Sequence, residues 1–346
     1  TLQQYPPAVL DEFCQAFEPM AAVVNTQQLD RWAQAGLDIA AQTVRSWEAA
    51  AKFFRVSPNV VVLMPFNYFE KWAECGIDLC SQSPALATSY FVSSPSTMAV
   101  LRSRHIERWA NLGSSLYKGT WKSSSLSCKF FESSPSLLTN LTLSEFERFV
   151  KFLEEISNRS YDLATECIAL GSKLFPLLGN NKEFFITLSS SLAKTNWRQV
   201  QNFFDANTRA IPNIESGQHL EFLQLIDKLI KAKTANIPII ISDISNSFGQ
   251  LGKESHESLF NLAGSLAKVS PVSVSEFLKT CPKILGKISL TQLEKWFDKG
   301  LKLLEQNPEG GLAYFKLESK RSEDILESLS SSVEFDRIKD VMEMYC

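Results

Sequence analysis

Residues 46–58 read SWEAAAKFFRVSP, and the last six letters set the register of the whole chain. Phe53-Phe54-Arg55-Val56-Ser57-Pro58 returns as Tyr90-Phe91-Val92-Ser93-Ser94-Pro95 and again as Phe130-Phe131-Glu132-Ser133-Ser134-Pro135. Fainter copies stand at Cys167-Ile168, Phe203-Phe204, Ile240-Ile241, Phe277-Leu278 and Tyr314-Phe315. The second residue of each pair falls at 54, 91, 131, 168, 204, 241, 278 and 315, in steps of 36 to 40 and most often 37. Self-similarity at a fixed period of this size is the mark of a repeat architecture.

A second anchor keeps time with the first. Trp32, Trp72, Trp109, Phe149, Phe185, Phe222, Leu259 and Trp296 precede their pairs by 19 or 22 residues. Four share close wording: LDRWAQAGLDIA (29–40), FEKWAECGIDLC (69–80), IERWANLGSSLY (106–117) and LEKWFDKGLKLL (293–304). EFCQAFEPMAAVV (12–24) fits as half of a leading unit, with Phe17 again 37 residues before Phe54.

Each period reads as helices. Leu29, Trp32, Ala33, Gly36 and Leu37 follow i, i+3, i+4, i+7, i+8, one face of an α-helix. SWEAAAKFF gives a second helix, with Trp47, Ala50, Ala51 and Phe54 on one side. Ser-Pro is expected to stop it, because the residue before proline avoids the α region. A short third segment, NVVVLM (59–64) or STMAVL (96–101), then leads to the next Trp helix. One such unit cannot bury its own apolar face, so neighbours must stack.

The fold expected is all-α, a right-handed HEAT-like or TPR-like α-solenoid of about eight 37-residue units. It fills residues 1–346 as a single domain: a half repeat over 1–28, units to 330 and a capping helix over 331–346. Helix layers about 8–10 Å apart would give an arc of roughly 70–80 Å. Its expected anchors are Trp32, Phe54, Trp72, Phe91, Trp109, Phe131, Phe149, Phe204, Trp296 and Phe315, read as inter-repeat core rather than as a ligand-binding aromatic ladder.

Apolar residues make up 45% of the chain, ample for a large core. A net charge of −3 and a pI near 5.8 argue against a nucleic-acid partner. No apolar run approaches a membrane span. The chain opens on Thr1, as a processed or excised piece would. Seven cysteines, odd in number and without a C-x-x-C pair, read as reduced core thiols of a cytoplasmic protein.

The residues that carry chemistry elsewhere are scattered here. His105, His219 and His256 lie in different units with no neighbour at ligand spacing, and read as surface or helix-end residues. Asp30 and Asp38, Glu70 and Asp78, and Glu294 and Asp298 recur on the Trp helices, as a solvated face does and a unique catalytic pair does not. Lys228, Lys231 and Lys233 form a small basic cluster on a helix face. G-x-S-x-G, H-E-x-x-H, Walker A and G-x-G-x-x-G are absent from the sequence. No catalytic, cofactor or metal residue is assigned.

The unit W-x-x-x-G…F-F-x-x-S-P resembles the N-terminal helical region of large bacterial proteins that carry a C-terminal von Willebrand factor A (VWA) domain, of the nitric-oxide-reductase-activation type. The closing stretch, Tyr314 to Ser322 and then ILESLSSSVEFDRIKDVMEMY (325–345), resembles the segment that leads into the rest of those proteins. The resemblance implies action with a MoxR-type AAA+ ATPase on a metalloenzyme client, with a metal-binding domain following Cys346. The family's metal residues map onto nothing in this chain.

One stretch tests that assignment. IIISDISNSFG (239–249) carries Asp243, Ser245 and Ser247 in the D-x-S-x-S spacing that resembles a VWA cation loop, whose oxygens suit a hard cation. At period 37, however, it is another copy of FFRVSP with Ser245 in the place of proline, so DISNS is expected to end a helix and turn. The function expected is a non-enzymatic scaffold or adaptor for a protein partner. The alternative is a HEAT-like nucleic-acid binder or DNA-repair enzyme, which requires a basic concave face.

Overall fold

In the computed structural model FFRVSP lies inside a helix rather than at its end. The structure describes residues 6–249, 255–285 and 289–316. Every regular element among them is helical, so the chain is all-α. The expected capping helix over 331–346 lies outside the described residues.

Two compact units divide the chain, Thr1–Pro176 and Leu177–Cys346. The first holds α1 (Pro7–Ala21), α2 (Thr26–Ala41), α3 (Trp47–Val61), α4 (Phe66–Gln82), α5 (Pro84–Met98), α6 (Ile106–Ser115), α7 (Trp121–Asn140), α8 (Leu143–Ser157) and α9 (Tyr161–Leu174). The second holds α10 (Lys182–Asn196), α11 (Val200–Ala210), α12 (His219–Lys231), α13 (Ile237–Phe248), α14 (His256–Val269), α15 (Pro271–Leu285), α16 (Leu290–Gln306) and α17 (Pro308–Phe315).

The expected Ser-Pro stop is overturned. α3 runs through Pro58, α5 through Pro95 and α7 through Pro135. Proline forfeits one i→i−4 bond and crowds the carbonyl four residues back. Each of these prolines stands near the C-terminal end of its helix, where few bonds remain to be lost. The serine before it stays helical and bonds back one turn: Ser57 Oγ donates to the Phe53 carbonyl at 2.6 Å, Ser94 to Tyr90 at 2.6 Å and Ser134 to Phe130 at 2.7 Å. The supposed third segments therefore belong to the same helix and the turn after it, and one period is two helices.

Within each unit the helices form two rows. In the first, α1, α3, α5, α7 and α9 pack in order, as do α2, α4, α6 and α8, and each even helix also packs on the odd helix that follows. In the second, α11, α13, α15 and α17 form one row and α10, α12, α14 and α16 the other. Capping boxes fix several starts, with Asn25 and Gln28 at α2, Thr142 and Glu145 at α8, and Ser289 and Gln292 at α16.

The repeat wording becomes ring geometry. Each anchor meets the second aromatic of its own pair edge-on: Trp32–Phe54 at 5.2 Å, Trp72–Phe91 at 5.1 Å, Trp109–Phe131 at 5.3 Å and Trp296–Phe315 at 5.2 Å, with interplanar angles of 75–88°. Phe185 and Phe204 repeat this at 5.0 Å and 79°. The first aromatic of the pair stacks on the next anchor, Phe53 on Trp72 at 5.3 Å and Tyr90 on Trp109 at 4.8 Å. One contact closes a unit and the other joins it to its neighbour, both in geometries the aromatic quadrupole favours.

The glycine one turn after each Trp makes the edge-on contact possible. A Cβ at Gly36, Gly76 or Gly113 would come within 2.0–2.1 Å of the ring of Phe54, Phe91 or Phe131. The serine of S-P completes the set by accepting from the indole: Trp72 Nε1 to Ser94 at 2.7 Å and Trp109 Nε1 to Ser134 at 2.9 Å.

Two placements differ from expectation. Phe17 is 44% exposed, and Phe13 takes the stacking role on Trp32 at 5.3 Å. α1 heads its row among the described residues, so its outer face has no helix to cover it. Trp47 is 41% exposed while Ala49, Ala50, Phe53 and Phe54 are buried, so the inner face of α3 is turned from the one expected.

Candidate functional site

The ten expected anchors are all buried. Phe149 departs from the rule: it meets Phe175 edge-on at 5.0 Å, because its pair, Cys167-Ile168, carries no ring. These side chains are packing and offer no open aromatic face.

DISNS forms the last turn of α13, one residue before its final Phe248, so it ends a helix as expected but stays helical where a turn was expected. On a helix the three oxygen-bearing side chains diverge. Asp243 accepts from Ser275 Oγ of α15 at 2.6 Å and faces Lys279 at 3.6 Å. Ser245 turns the other way, accepting from Asn213 Nδ2 at 2.9 Å and donating to the Arg209 carbonyl at 3.3 Å. Ser247 Oγ donates to the Leu278 carbonyl at 2.5 Å. The spelling joins α13 to its neighbours and gathers no cage. Among the described residues no three His, Cys, Asp or Glu side chains gather as a metal site.

His219 and His256 begin α12 and α14, as helix-end residues do, but both are buried, so neither is a surface residue. The preceding segment covers each: His219 Nε2 is hydrogen-bonded to the Ile214 carbonyl at 3.3 Å, and His256 packs on Phe248 with ring centroids 4.5 Å apart. Cys75, Cys80, Cys167 and Cys281 are buried free thiols. Burial pushes Cys75 up to about 12 and Cys167 and Cys281 upward as well. Cys346 lies outside the described residues. Lys228 and Lys231 are exposed one turn apart on α12, as a solvated face is; Lys231 pairs with Asp227 at 2.6 Å, and Lys228 Nζ reaches across to Gly264.

One of the recurring carboxylates, Glu70, joins neighbouring units. Arg31, just before its anchor, binds Glu70, two before the next, at 2.6 Å. Arg108 binds Glu147 in the same relation. Between them Lys71 is raised by its bond to Glu74 and by Glu107 of α6. Asp38 accepts from Gln34 at 2.7 Å. The even row thus presents an outer face of interleaved charge.

That face breaks its own rule at α6. The cap positions of α2, α4 and α8 hold Asn25, Pro65 and Thr142; that of α6 is displaced by a 3-10 turn, Ser103–His105, which Arg102 precedes without a side-chain cap bond. α6 itself is only 10 residues long. Between α6 and α8 a groove of about 540 Å³ opens, lined by Arg104, His105, Arg108, Leu112, Lys151 and Glu154 among others. Arg104 Nε donates to His105 Nε2 at 3.1 Å. Burial holds His105 below the ordinary histidine range, helped by Arg104, Arg108 and Arg102. Arg102, Arg104, Lys151 and Glu154 make no ion pair among the described residues.

Sequence reasoning passed over Arg102, Arg104 and Lys151. The usable signal was Arg102, which stands where the neighbouring units place Pro65 and Thr142.

No family model, curated protein or solved structure matches the chain. No helix among the described residues is long and apolar enough to cross a membrane.

Proposed function

We propose that this chain is a protein-binding scaffold, each of its units a stretch of HEAT-like or TPR-like α-solenoid whose even row faces a protein partner. The observation that carries this reading is the repeated packing of each helix on the next but one. That arrangement extends a surface by addition and suits long, shallow protein contacts rather than enclosure of a small substrate. The interleaved charges of α2, α4, α6 and α8 support it, since such a face favours register and selectivity of a partner. On the sequence resemblance, the scaffold belongs to a larger VWA-containing protein in the cytoplasm and brings a metalloenzyme client to a MoxR-type AAA+ ATPase.

The test is affinity purification with the full chain as bait, followed by cross-linking of the complex and mapping of the cross-linked residues. A stoichiometric protein partner cross-linked to α2, α4, α6 or α8 is the expected result. Cross-links confined to the odd row would overturn the assigned face. Recovery of neither an AAA+ ATPase nor a metalloenzyme would remove the proposed client pathway.

A further inference from the structure

We propose that the groove between α6 and α8 receives an acidic peptide segment of the partner, one that ends on a basic residue; this rests on the scaffold reading above. The repeat supplies the first argument. α2, α4 and α8 begin with a capping side chain or proline, whereas α6 begins with the turn Ser103–His105 and the cations Arg102 and Arg104. Among α2, α4, α6 and α8 this start alone lacks a capping side chain or proline, and it sets two cations beside the groove; in the second unit α10 and α12 also follow 3-10 turns, Gly179–Asn181 and Ser216–Gln218, which bring no such pair of cations.

The second argument is the order of charges. Arg104 stands at the start of the groove with the exposed Arg102 two residues before it, Leu112 and Lys151 line its middle, and Glu154 lies near its far end. Arg108 is already satisfied by Glu147 of α8, and Glu107 is drawn to Lys71 of α4. The groups left without an ion pair are three cations followed by one anion. A nucleic-acid backbone, anionic throughout, would meet Glu154 and Glu107 as well as the cations. A peptide with two or three carboxylates, an apolar residue over Leu112 and a terminal lysine or arginine at Glu154 matches every group. From Arg104 to Ser115 is about 16 Å at 1.5 Å per residue, room for about five extended residues.

The experiment uses the full chain and a fluorescent peptide, Glu-Asp-Leu-Glu-Lys flanked by glycines, read by anisotropy at low and moderate salt. Its sign-reversed counterpart (Lys-Lys-Leu-Lys-Glu) and a short oligothymidylate are the comparison probes. Binding of the acidic peptide alone is expected, weakened about tenfold or more in the double variant R104E/K151E, with unchanged helical circular dichroism. Lys194→Glu, an exposed cation outside the groove, is expected to leave it unchanged. Equal loss with Lys194→Glu, equal binding of the oligothymidylate, or no binding of the acidic peptide would each overturn the proposal. A partner that binds the chain and cross-links to α2 or α4, with R104E/K151E indifferent, would overturn the groove while the scaffold reading stands.

Discussion

A Cβ added to Gly76 would lie 2.0 Å from the ring tip of Phe91, fifteen positions on in the sequence and on the next helix. The same relation joins Gly36 to Phe54 and Gly113 to Phe131. In most helices alanine is preferred to glycine by about 1 kcal/mol. Here overpacking should win, and Gly76→Ala is expected to lose a net ~1–2 kcal/mol. Gly217→Ala, with nothing within 4 Å of the added carbon, should stay within about 0.5 kcal/mol. Urea unfolding of the two variants checks the difference.

The indole–serine bonds separate one period from the next. Trp109 gives its N–H to Ser134, while the buried N–H of Trp32 finds no partner among the described residues. Ser134→Ala should therefore cost about 1–3 kcal/mol by stranding a buried donor, and Ser57→Ala about 1 kcal/mol less than that. Trp109→Ala removes the edge-on and stacked contacts together and should cost roughly 3–5 kcal/mol. Equal costs for the two serines, from denaturant melts, would contradict the assigned role of Ser134.

Much of this was written in the sequence. The period, the Trp and Phe anchors and their burial follow from spacing, because large apolar side chains repeated at helical intervals have nowhere else to go. What spacing could not show was the course of the backbone at Ser-Pro. The rule that proline ends a helix concerns cost, and near a helix end the cost is small enough to be carried by core packing. Phe17 misled for another reason: α1 keeps the repeat's letters, but no helix among the described residues precedes it in its row to cover them. The groove at α6 was legible only as a broken cap, since Arg102 and Arg104 alone look like any surface cations.

Asp243 ties α13 to α15. Asp243→Ala and Ser275→Ala should each destabilise the chain, and a double-mutant cycle should return about 1 kcal/mol or more of coupling, as hydrogen bonds to charged groups do. Calorimetric titration with Mg²⁺ should give the same trace for Asp243→Ala as for the unaltered chain. Saturable Mg²⁺ binding lost in the variant would restore the cation-loop reading.

His105 makes a prediction about pH. Its folded-state pKa lies below that of an unfolded histidine, from burial first and then from Arg104, Arg108 and Arg102. The unfolded chain then takes up the proton first, so the contribution of His105 is fully present above about pH 6.5 and is lost as pH falls toward the folded value. An imidazole titration by NMR should show the depressed midpoint, and Arg104→Gln should move it upward. A midpoint at or above 6.5 in the unaltered chain would contradict the positive field assigned to the groove.

Excising one full period tests most directly whether the chain is built of interchangeable two-helix units. Removing residues 72–108 joins Lys71 to Trp109 and preserves the order of anchor, glycine and aromatic pair. That variant should keep its helical content per residue and unfold cooperatively on heating. Removing residues 72–90, about half a period, should leave Phe91 without its anchor and abolish the cooperative transition. Loss of cooperative unfolding in the full-period deletion, or its survival in the half-period one, would contradict the two-helix repeat.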